Sequence, residues 1–370
     1  MKIFFLSDGS SIHTRKWVNS LIESGLTIHL FSLSRFNTND YPSKNFSYTS
    51  YDIQRRVSAC AGLGKINYLR VLRSLKKEIK EFAPDIVHAH FASSYGLLGA
   101  LSGFHPFIVS VWGYDIFDFP EKSFIHKMVI KYNLSKADKI LSTSNVMAKK
   151  TALYTEKEVT VTPFGIDLNV FKKEKVSRKE LTPFNDSDVV IGTVKLLEKK
   201  YGINYLIEAF SDVSGKHPDI PLKLLIVGGG SEKESLEKMV ENLGLKEKVH
   251  FTGMVPHNSV QLYHKIIDVF AALSIYDSES FGVAIVEAGA CENPVVVSDA
   301  GGLPEVVDDG VTGFVVERKN SSATAKELEK LVIDEELRSR MGTAGRKRVE
   351  KLYDWKENVL QMLEIYKNIV

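Results

Sequence analysis

The sequence predicts an α/β protein made of two doubly wound, Rossmann-like domains with parallel sheets. Short apolar segments alternate with amphipathic helical patterns along nearly all of the 370 residues, as in parallel strands covered by helices on both faces. The series occurs twice, and at about 150 residues per domain the length also favours two domains. Ligands of such sheets bind beyond the carboxyl ends of the strands, so we expect an active site in a central cleft that the domains face.

The first series contains six predicted strands, at residues 2–7, 27–33, 85–91, 107–112, 139–144 and 159–163. Helical patterns are clearest at residues 13–23, 66–82 and 124–135. The second series contains predicted strands at residues 189–194, 223–228, 249–252, 269–274, 295–298 and 313–316. Its clearest helical patterns are at residues 202–213, 232–243 and 282–291. Residues 171–187 are charged and without a period, which predicts a linker.

Composition and charge narrow the class of protein. Hydrophobic residues make up 44% and charged residues 25% of the chain, as in ordinary globular proteins. Residues 1–168 carry 21 basic and 14 acidic side chains, a net +7, and residues 169–370 carry 27 and 32, a net −5. A basic amino-terminal half could contact lipid phosphate or an anionic membrane surface, although a solvated surface with a chance bias explains the charge equally well. We expect no nucleic-acid partner.

The cysteine count and the amino terminus bear on the compartment. Two cysteines, Cys60 and Cys291, give no disulfide framework, so a reducing cytoplasm is the simplest expectation. The first apolar segment covers only residues 3–6 and Asp8 follows at once, so it favours a buried strand over a signal peptide. We find no apolar run of about 20 residues that could span a bilayer.

The strongest chemical signal is the segment SIYDSESFGVAIVEA, residues 274–288. Glu279 precedes a predicted helix that starts near Phe281 and Gly282, and the free N–H groups of a helix amino terminus suit phosphate. Glu279 could equally be a charge that the helix dipole favours. Glu287 lies in an otherwise apolar run, where a carboxylate is costly unless it has a partner.

Two further turns each follow a predicted strand and precede a helix. Lys195 and Lys200 lie five residues apart in the first, where they could clamp a diphosphate, although a lysine-rich turn is more often solvated surface. Gly9 lies in the second, between Asp8 and Trp17, where a glycine can admit phosphate or sugar near the backbone. A single glycine is normally just a turn.

The segment from Glu279 to Val316 resembles the signature of the retaining glycosyltransferases of family 4, the glycosyl transferases of group 1, which have the GT-B fold. Their two glutamates with seven residues between them match Glu279 and Glu287. The resemblance covers nearly the whole chain. It implies an acceptor-binding domain at residues 1–168 and a nucleotide-sugar-binding domain at residues 169–352. It also implies that residues 353–370 form a helix that crosses back to the first domain.

The resemblance implies roles for individual residues. Glu279 would contact donor hydroxyls, Glu287 the ribose, and the lysine pair the diphosphate, with Lys199 as a substitute for Lys200 because Tyr201 resembles an insertion. Lys195 stands where arginine is usual, and it lacks the bidentate fork of arginine. Backbone contacts to the donor are expected at the remaining donor-side positions: Gly9, Gly228, Gly229, Val255, Phe281, Gly282 and Val283. The acceptor-side candidates are His13, Arg15, His90 and Trp112, the last in place of a usual histidine, and His13 is also a catalytic candidate.

The implied activity is that of a hexosyltransferase. It would move a sugar from a nucleoside diphosphate sugar, with a UDP-sugar favoured, to a hydroxyl of a glycan or lipid-linked acceptor in bacterial surface polysaccharide or glycoconjugate synthesis. The reaction would retain the anomeric configuration and need no obligatory metal. We expect a cytoplasmic protein with a peripheral contact at the inner membrane face. A nucleotide-sugar 2-epimerase of the same fold, a nicotinamide-dependent dehydrogenase and a non-enzymatic binding module are the alternatives.

Overall fold

A computed structural model describes residues 1–53 and 70–370 of the chain. It divides into two compact units, one made of residues 1–163 with 357–370 and the other of residues 164–356. Cys60 and the first four residues of the helical pattern at 66–82 lie outside the described residues. None of the helices formed by the described residues has the length and hydropathy of a membrane-spanning segment.

The sheet of the first unit has seven parallel strands in the order β3-β2-β1-β4-β5-β6-β7. The strands are β1 (Lys2–Leu6), β2 (Thr27–Ser32), β3 (Phe46–Ser50), β4 (Ile86–His90), β5 (Phe107–Val111), β6 (Lys139–Ser142) and β7 (Val159–Val161). Every residue of β4 and β5 is buried, because helices cover both faces of this part of the sheet.

The α-helices that cover this sheet follow the strands in the chain. They are α1 (Ile12–Glu23), α2 (Leu72–Phe82), α3 (Ser94–Ser102), α4 (Tyr114–Phe117), α5 (Phe124–Lys136) and α6 (Asn145–Ala152). Side-chain caps begin three of them, since Ser11, Ser123 and Ser144 accept the backbone N–H three residues ahead.

The sheet of the second unit has six parallel strands in the order β10-β9-β8-β11-β12-β13. These strands are β8 (Val189–Val194), β9 (Leu222–Val227), β10 (Val249–Gly253), β11 (Val269–Ala272), β12 (Val295–Ser298) and β13 (Gly313–Val316). The helices between and after them are α7 (Ile203–Lys216), α8 (Lys233–Asn242), α9 (Val260–Lys265), α10 (Val283–Ala290), α11 (Leu303–Val306), α12 (Ser321–Ile333) and α13 (Glu335–Leu352).

The predicted fold class is confirmed, since both sheets are parallel and helices alternate with the strands. Strand β3 was missed because it is a sheet edge: Ser47 and Tyr48 are exposed, and the segment lacks the apolar run that marks the inner strands. The segment predicted as a linker contains a short 3-10 helix, Arg178–Glu180. Arg178 donates to the Ile266 carbonyl and forms a 2.7 Å ion pair with Asp268, so the segment is fixed to the second unit.

The last helix, α14 (Trp355–Ile369), begins in the second unit and continues into the first. The hydroxyl of Tyr366 lies 2.6 Å from Nδ1 of His88 on β4, and Nε2 of His88 lies 2.8 Å from Oγ of Ser110. Tyr366 and His88 are both 0% exposed. Burial lowers the pKa of His88 to about 3, so the histidine is neutral and both of its ring nitrogens are hydrogen-bonded.

Tyr366→Phe removes the hydroxyl and leaves Nδ1 of His88 buried without a partner. We expect this variant to lose about 1–3 kcal/mol of stability, the usual cost of an unsatisfied buried polar atom. A thermal unfolding measurement checks it. Tyr48→Phe is the control, because Tyr48 is 47% exposed and its hydroxyl can bond to water; equal melting temperatures for the two variants would contradict the expectation.

Candidate functional site

The loops at the carboxyl edge of the second unit's sheet are joined by backbone hydrogen bonds. The N–H of Lys195, just after β8, donates to the Val227 carbonyl at 2.9 Å, and that of Leu197 donates to Gly229 at 2.9 Å. The N–H of Ile275, after β11, donates to the Lys200 carbonyl at 2.9 Å. The carboxyl ends of parallel strands meet at one edge, so segments distant in sequence form one surface there.

Two glycines allow these loops to approach each other closely. Gly228 has φ +137°, and a Cβ there would lie 2.0 Å from the Lys195 carbonyl oxygen. Gly301 has φ +51°, and a Cβ there would lie 2.2 Å from the Glu279 carbonyl oxygen. Both conformations are strained for other residues, so these glycines fix the positions of Lys195 and Glu279 through the backbone.

Lys195 and Glu279 form an ion pair between the loops that follow β8 and β11. The Nζ–Oε2 distance is 2.8 Å, and the two side chains are 23% and 12% exposed. Oγ of Ser274 donates to the same carboxylate oxygen at 3.4 Å. Burial lowers the pKa of Lys195, but the facing Glu279 carboxylate and the nearby Tyr201 outweigh it and hold the pKa above its ordinary value, so Lys195 is a cation at neutral pH.

Tyr201 places its ring next to both predicted lysines. Nζ of Lys195 lies 4.5 Å and Nζ of Lys200 lies 4.9 Å from the ring centroid, within the range of cation–π attraction. Lys200 also forms a half-exposed ion pair of 3.0 Å with Glu198. Lys199 is exposed. The structure therefore brings Lys195 and Lys200 to one ring, and Tyr201, which resembled an insertion, is part of the site.

Glu287 has the partner that its apolar surroundings require. Its Oε2 lies 3.2 Å from Nε2 of His264 on α9, and both residues are buried. Asn293 donates to the His264 carbonyl at 2.7 Å, which fixes this end of α9. His264 is a site residue that sequence reasoning missed, because its helix gives no chemical motif of its own.

Helix α10 begins beside Glu279. Gly282 precedes it with φ +90° and has no side chain that could cap its first turn, and the first N–H groups have no acceptor within the helix. Phe281 is 4% exposed and packs its ring against Phe164 and Tyr353. Phe281 can therefore offer a ligand only its backbone, whereas the half-buried Val283 lies in the first turn.

Arg318, just after β13, braces the loop that carries Glu279. It donates to Oδ1 of Asp277 at 2.8 Å and to Oδ1 of Asp299 at 2.9 Å. Asp277 in turn accepts the N–H of Gly301 at 3.1 Å. The Gly301-Gly302 pair after β12 could have indicated this contact from the sequence. It lies inside the family signature, but no role was predicted for it.

The turn that contains Val255 follows β10. The N–H of Gly228 donates to the Gly253 carbonyl at 3.0 Å, which places this turn beside the glycines that follow β9. Val255 itself is half-buried. Gly228, Gly229 and Val255 thus belong to the same edge of the sheet as Lys195.

Gly9 lies at the corresponding edge of the first unit, between β1 and α1. Its N–H donates to Oγ of Ser32 at 3.0 Å, and its carbonyl accepts the hydroxyl of Tyr41 at 2.7 Å. A Cβ at Gly9 would lie 2.3 Å from the ring of Phe36. Packing against Phe36 therefore already accounts for a glycine at this position, whether or not a ligand binds here.

The acceptor-side candidates form one aromatic cluster with an ion pair beside it. The ring centroid of Trp112 lies 4.2 Å from His90 and 6.0 Å from His13. His90 is 1% exposed, and its Nδ1 lies 3.0 Å from Oγ of Ser7. Burial holds the pKa of His90 well below its ordinary value, so it is neutral. Arg15 forms a partly exposed 2.8 Å ion pair with Asp40.

Metal-ligating side chains are not grouped in the described part of the chain. Within residues 1–53 and 70–370, no three or more His, Cys, Asp or Glu side chains are arranged to hold a metal ion. Cys291 is buried and forms no disulfide with the described residues, and burial raises the pKa of its thiol to about 12. It is therefore not a nucleophile at neutral pH.

Comparison with known proteins matches both halves of the chain to glycosyltransferase families. The family Glycosyl transferases group 1 matches residues 174–348, and the family Glycosyl transferase 4-like matches residues 2–144. The chain belongs to the group 1 glycosyl transferases, of family 4 type with the GT-B fold.

Two individual relatives share about a third of the aligned residues with this chain. The D-inositol 3-phosphate glycosyltransferase of Corynebacterium jeikeium is 32% identical over 222 residues, 57% of this chain and 52% of that protein. The GDP-mannose-dependent alpha-(1-6)-phosphatidylinositol monomannoside mannosyltransferase of Mycolicibacterium smegmatis is 33% identical over 211 residues, 55% and 54% of the two chains. The matches thus span about half the length of these curated relatives.

Among solved structures, HepE of Anabaena in complex with UDP has a TM-score of 0.81 at 20% identity and covers 100% of both chains. The same protein has also been solved in complex with UDP-glucose. At this identity the likeness shows the fold.

Gly228→Ala tests the close approach of the loops. A methyl group 2.0 Å from the Lys195 carbonyl, at φ +137°, must displace one of the two loops, so we expect a loss of about 1–3 kcal/mol in thermal unfolding. The control is Gly215→Ala in α7, where a Cβ has nothing within 4 Å and the better helix former adds at most about 1 kcal/mol. Equal stability of both variants would rule out the proposed contact.

Proposed function

We propose that the protein is a hexosyltransferase that moves a sugar from a nucleoside diphosphate sugar to a hydroxyl of a glycan or lipid-linked acceptor, with retention at the anomeric carbon. A UDP-sugar is the favoured donor. Synthesis of a bacterial surface polysaccharide or glycoconjugate is the process that such a reaction would serve. The observation that carries the proposal is the partly buried Lys195–Glu279 ion pair beside the start of α10, where the N-cap residue is Gly282.

This arrangement supplies the groups that the charged and hydroxylated parts of the donor require. The N–H groups at Gly282 and Val283 suit a phosphate. Lys195 and Lys200, which both lie beside the Tyr201 ring, supply positive charge. In the described part of the chain, both polar contacts of the Glu279 carboxylate go to Oε2, so Oε1 can accept a hydroxyl of the sugar.

Glu287 serves the ribose in this proposal. Its contact with His264 uses Oε2 and fixes the orientation of the carboxylate. A carboxylate held in this way accepts hydrogen bonds from two vicinal hydroxyls without losing side-chain entropy again on binding. The base would meet the backbone near Val255, and Gly228 and Gly229 would lie beside the nucleotide.

In the reaction, the bond between the anomeric carbon and the phosphate oxygen breaks, and a bond to the acceptor oxygen forms on the same face of the sugar. The leaving phosphate oxygen takes the acceptor proton, so that no protein base is needed. Lys195, Lys200 and the start of α10 stabilise the charge that develops on the diphosphate. A hydrolase-type carboxylate pair is not part of this proposal.

The first unit would bind the acceptor. We propose that His13, half-buried against Trp112, contacts the acceptor and that Trp112 stacks on a sugar. His90 is buried, so its role is to position Trp112. Gly9 would contact the donor through its backbone, and Arg15 would exchange its pairing with Asp40 for an acceptor or phosphate group.

The comparisons support a nucleotide-sugar donor and leave its base to experiment. The similar structure from Anabaena is a complex with UDP, and the mycobacterial relative is named for GDP-mannose. A cytoplasmic location at the inner membrane face completes the proposal, since it suits a lipid-linked acceptor.

A thermal-shift panel of UDP- and GDP-sugars identifies the donor, because a bound ligand raises apparent stability.

With that donor, we expect Glu279→Gln to lower kcat about a hundredfold or more, as loss of one preorganised group does. The control Glu234→Gln, on an exposed position of α8, should leave kcat unchanged. Inversion of configuration, shown by NMR of the product, would contradict the mechanism. Product formation without an acceptor would identify an epimerase instead.

Separate variants of Lys199 and Lys200 distinguish the two candidate phosphate contacts. Lys200 shares the Tyr201 ring with Lys195, whereas Lys199 is exposed. We expect Lys200→Ala to raise the KM for the donor about tenfold, the value of one charge-assisted hydrogen bond, and Lys199→Ala to leave it unchanged. The reverse pattern in steady-state kinetics would move the phosphate contact to Lys199.

A further inference from the structure

Helix α5 of the first unit exposes large apolar side chains. Phe124 is 76%, Ile125 72%, Met128 48% and Tyr132 40% exposed. The opposite side of the same helix packs into the core through Ile130, Asn133 and Leu134, which are buried. The helix is therefore held in place by one face and presents a second apolar face to the outside.

The exposed side chains form one continuous surface. At about 100° per residue, Phe124, Met128 and Tyr132 follow one another at four-residue intervals along one side of the helix, and Ile125 lies beside them. Single exposed apolar residues are ordinary on a protein surface, but a contiguous apolar patch marks an interaction site. We call Phe124, Ile125, Met128 and Tyr132 the outer face of α5.

Lysines border this outer face on both sides. Lys127 and Lys131 lie on one side of the helix and Lys136 on the other, and α5 contains no acidic residue. Over residues 121–150 the sequence has seven lysines and two acidic residues, a net +5. Two of these seven lysines, both outside α5, form ion pairs: Lys150 with Glu121 and Lys139 with Glu158.

We propose that the outer face of α5 docks on an anionic lipid membrane. Its four apolar side chains would enter the boundary between headgroups and acyl chains, and the three lysines of α5 would contact lipid phosphates. Nζ of Lys136 lies 5.7 Å from the ring of Tyr132. A tyrosine beside a lysine suits this boundary, where the ring is half in the apolar phase and the charge remains in water.

The charge of the surface argues for a lipid rather than a second copy of the chain. Two copies that met through this face would bring like charges together, three lysines from each α5, and this repulsion opposes association. An anionic membrane offers the complementary charge. The residues of this face are not donor-site residues, so the inference stands even if the proposed function fails.

Vesicle sedimentation of the full chain tests the inference. We expect binding to vesicles of phosphatidylcholine with about a third phosphatidylglycerol, a decrease as salt screens the lysines, and little binding to phosphatidylcholine alone. The triple variant Phe124→Ser, Ile125→Ser, Met128→Ser removes the apolar contribution. We expect at least a tenfold lower partition coefficient, because stable anchoring needs both the apolar and the basic contribution.

Two controls separate this surface from general stickiness and from misfolding. Ile333→Ser and Leu243→Ser change exposed apolar residues of the second unit, 57% and 42% exposed, and should leave vesicle binding unchanged. The triple variant should melt at the temperature of the parent chain. Lys127→Glu with Lys131→Glu should also abolish binding to the anionic vesicles while leaving the apolar side chains in place.

Three outcomes would overturn the inference. One is a parent chain that binds neither kind of vesicle at low salt. Another is a triple variant that is folded and binds the anionic vesicles as well as the parent does. The third is a parent chain that forms dimers in sedimentation velocity without lipid, dimers that the triple variant loses, since the face would then be an interface between copies.

Discussion

The ion pair between Lys195 and Glu279 is the interaction on which the candidate site depends. It connects the loop after β8 to the loop after β11, and both side chains are largely withdrawn from water. Removing one partner of a pair that is largely withdrawn from water leaves the other charge without compensation, which is costly. The pair therefore holds both groups in place, and it fixes the oxygen of Glu279 that stays available to a ligand.

The backbones of the loops around the pair are in direct contact. Gly228 allows the Lys195 carbonyl to approach, and Gly301 allows the Glu279 carbonyl to do so. Arg318 then joins Asp277, in the loop of Glu279, to Asp299, which directly follows β12. The position of Glu279 thus depends first on the strand order, then on the glycine conformations that let the loops meet, and finally on the hydrogen bonds of Arg318.

The fold could be predicted from sequence because parallel strands buried on both faces leave a strong signal: every residue of β4 and β5 is buried, and β5 (FIVSV) is apolar at four of its five positions. The edge strand β3 left none, since two of its five residues are exposed and none is fully buried. In the site, Glu279, Glu287 and the lysines lay within recognisable motifs. Their partner His264 did not, and Ser274 and Tyr201 received no role there, because a contact between distant segments depends on how the loops after different strands meet.

The ion pairs of the two lysines beside Tyr201 affect how the candidate site responds to the salt concentration of its solvent. Lys195 and Lys200 already hold Glu279 and Glu198 as counter-ions, and both flank the same ring. A diphosphate that binds them replaces or shares protein carboxylates rather than displacing dissolved anions. If the two lysines bind the donor as proposed, fewer bulk ions would be released on binding than a bare lysine pair would release, and donor affinity would be buffered against changes in ionic strength. The enzyme would keep its donor site functional where the salt concentration varies.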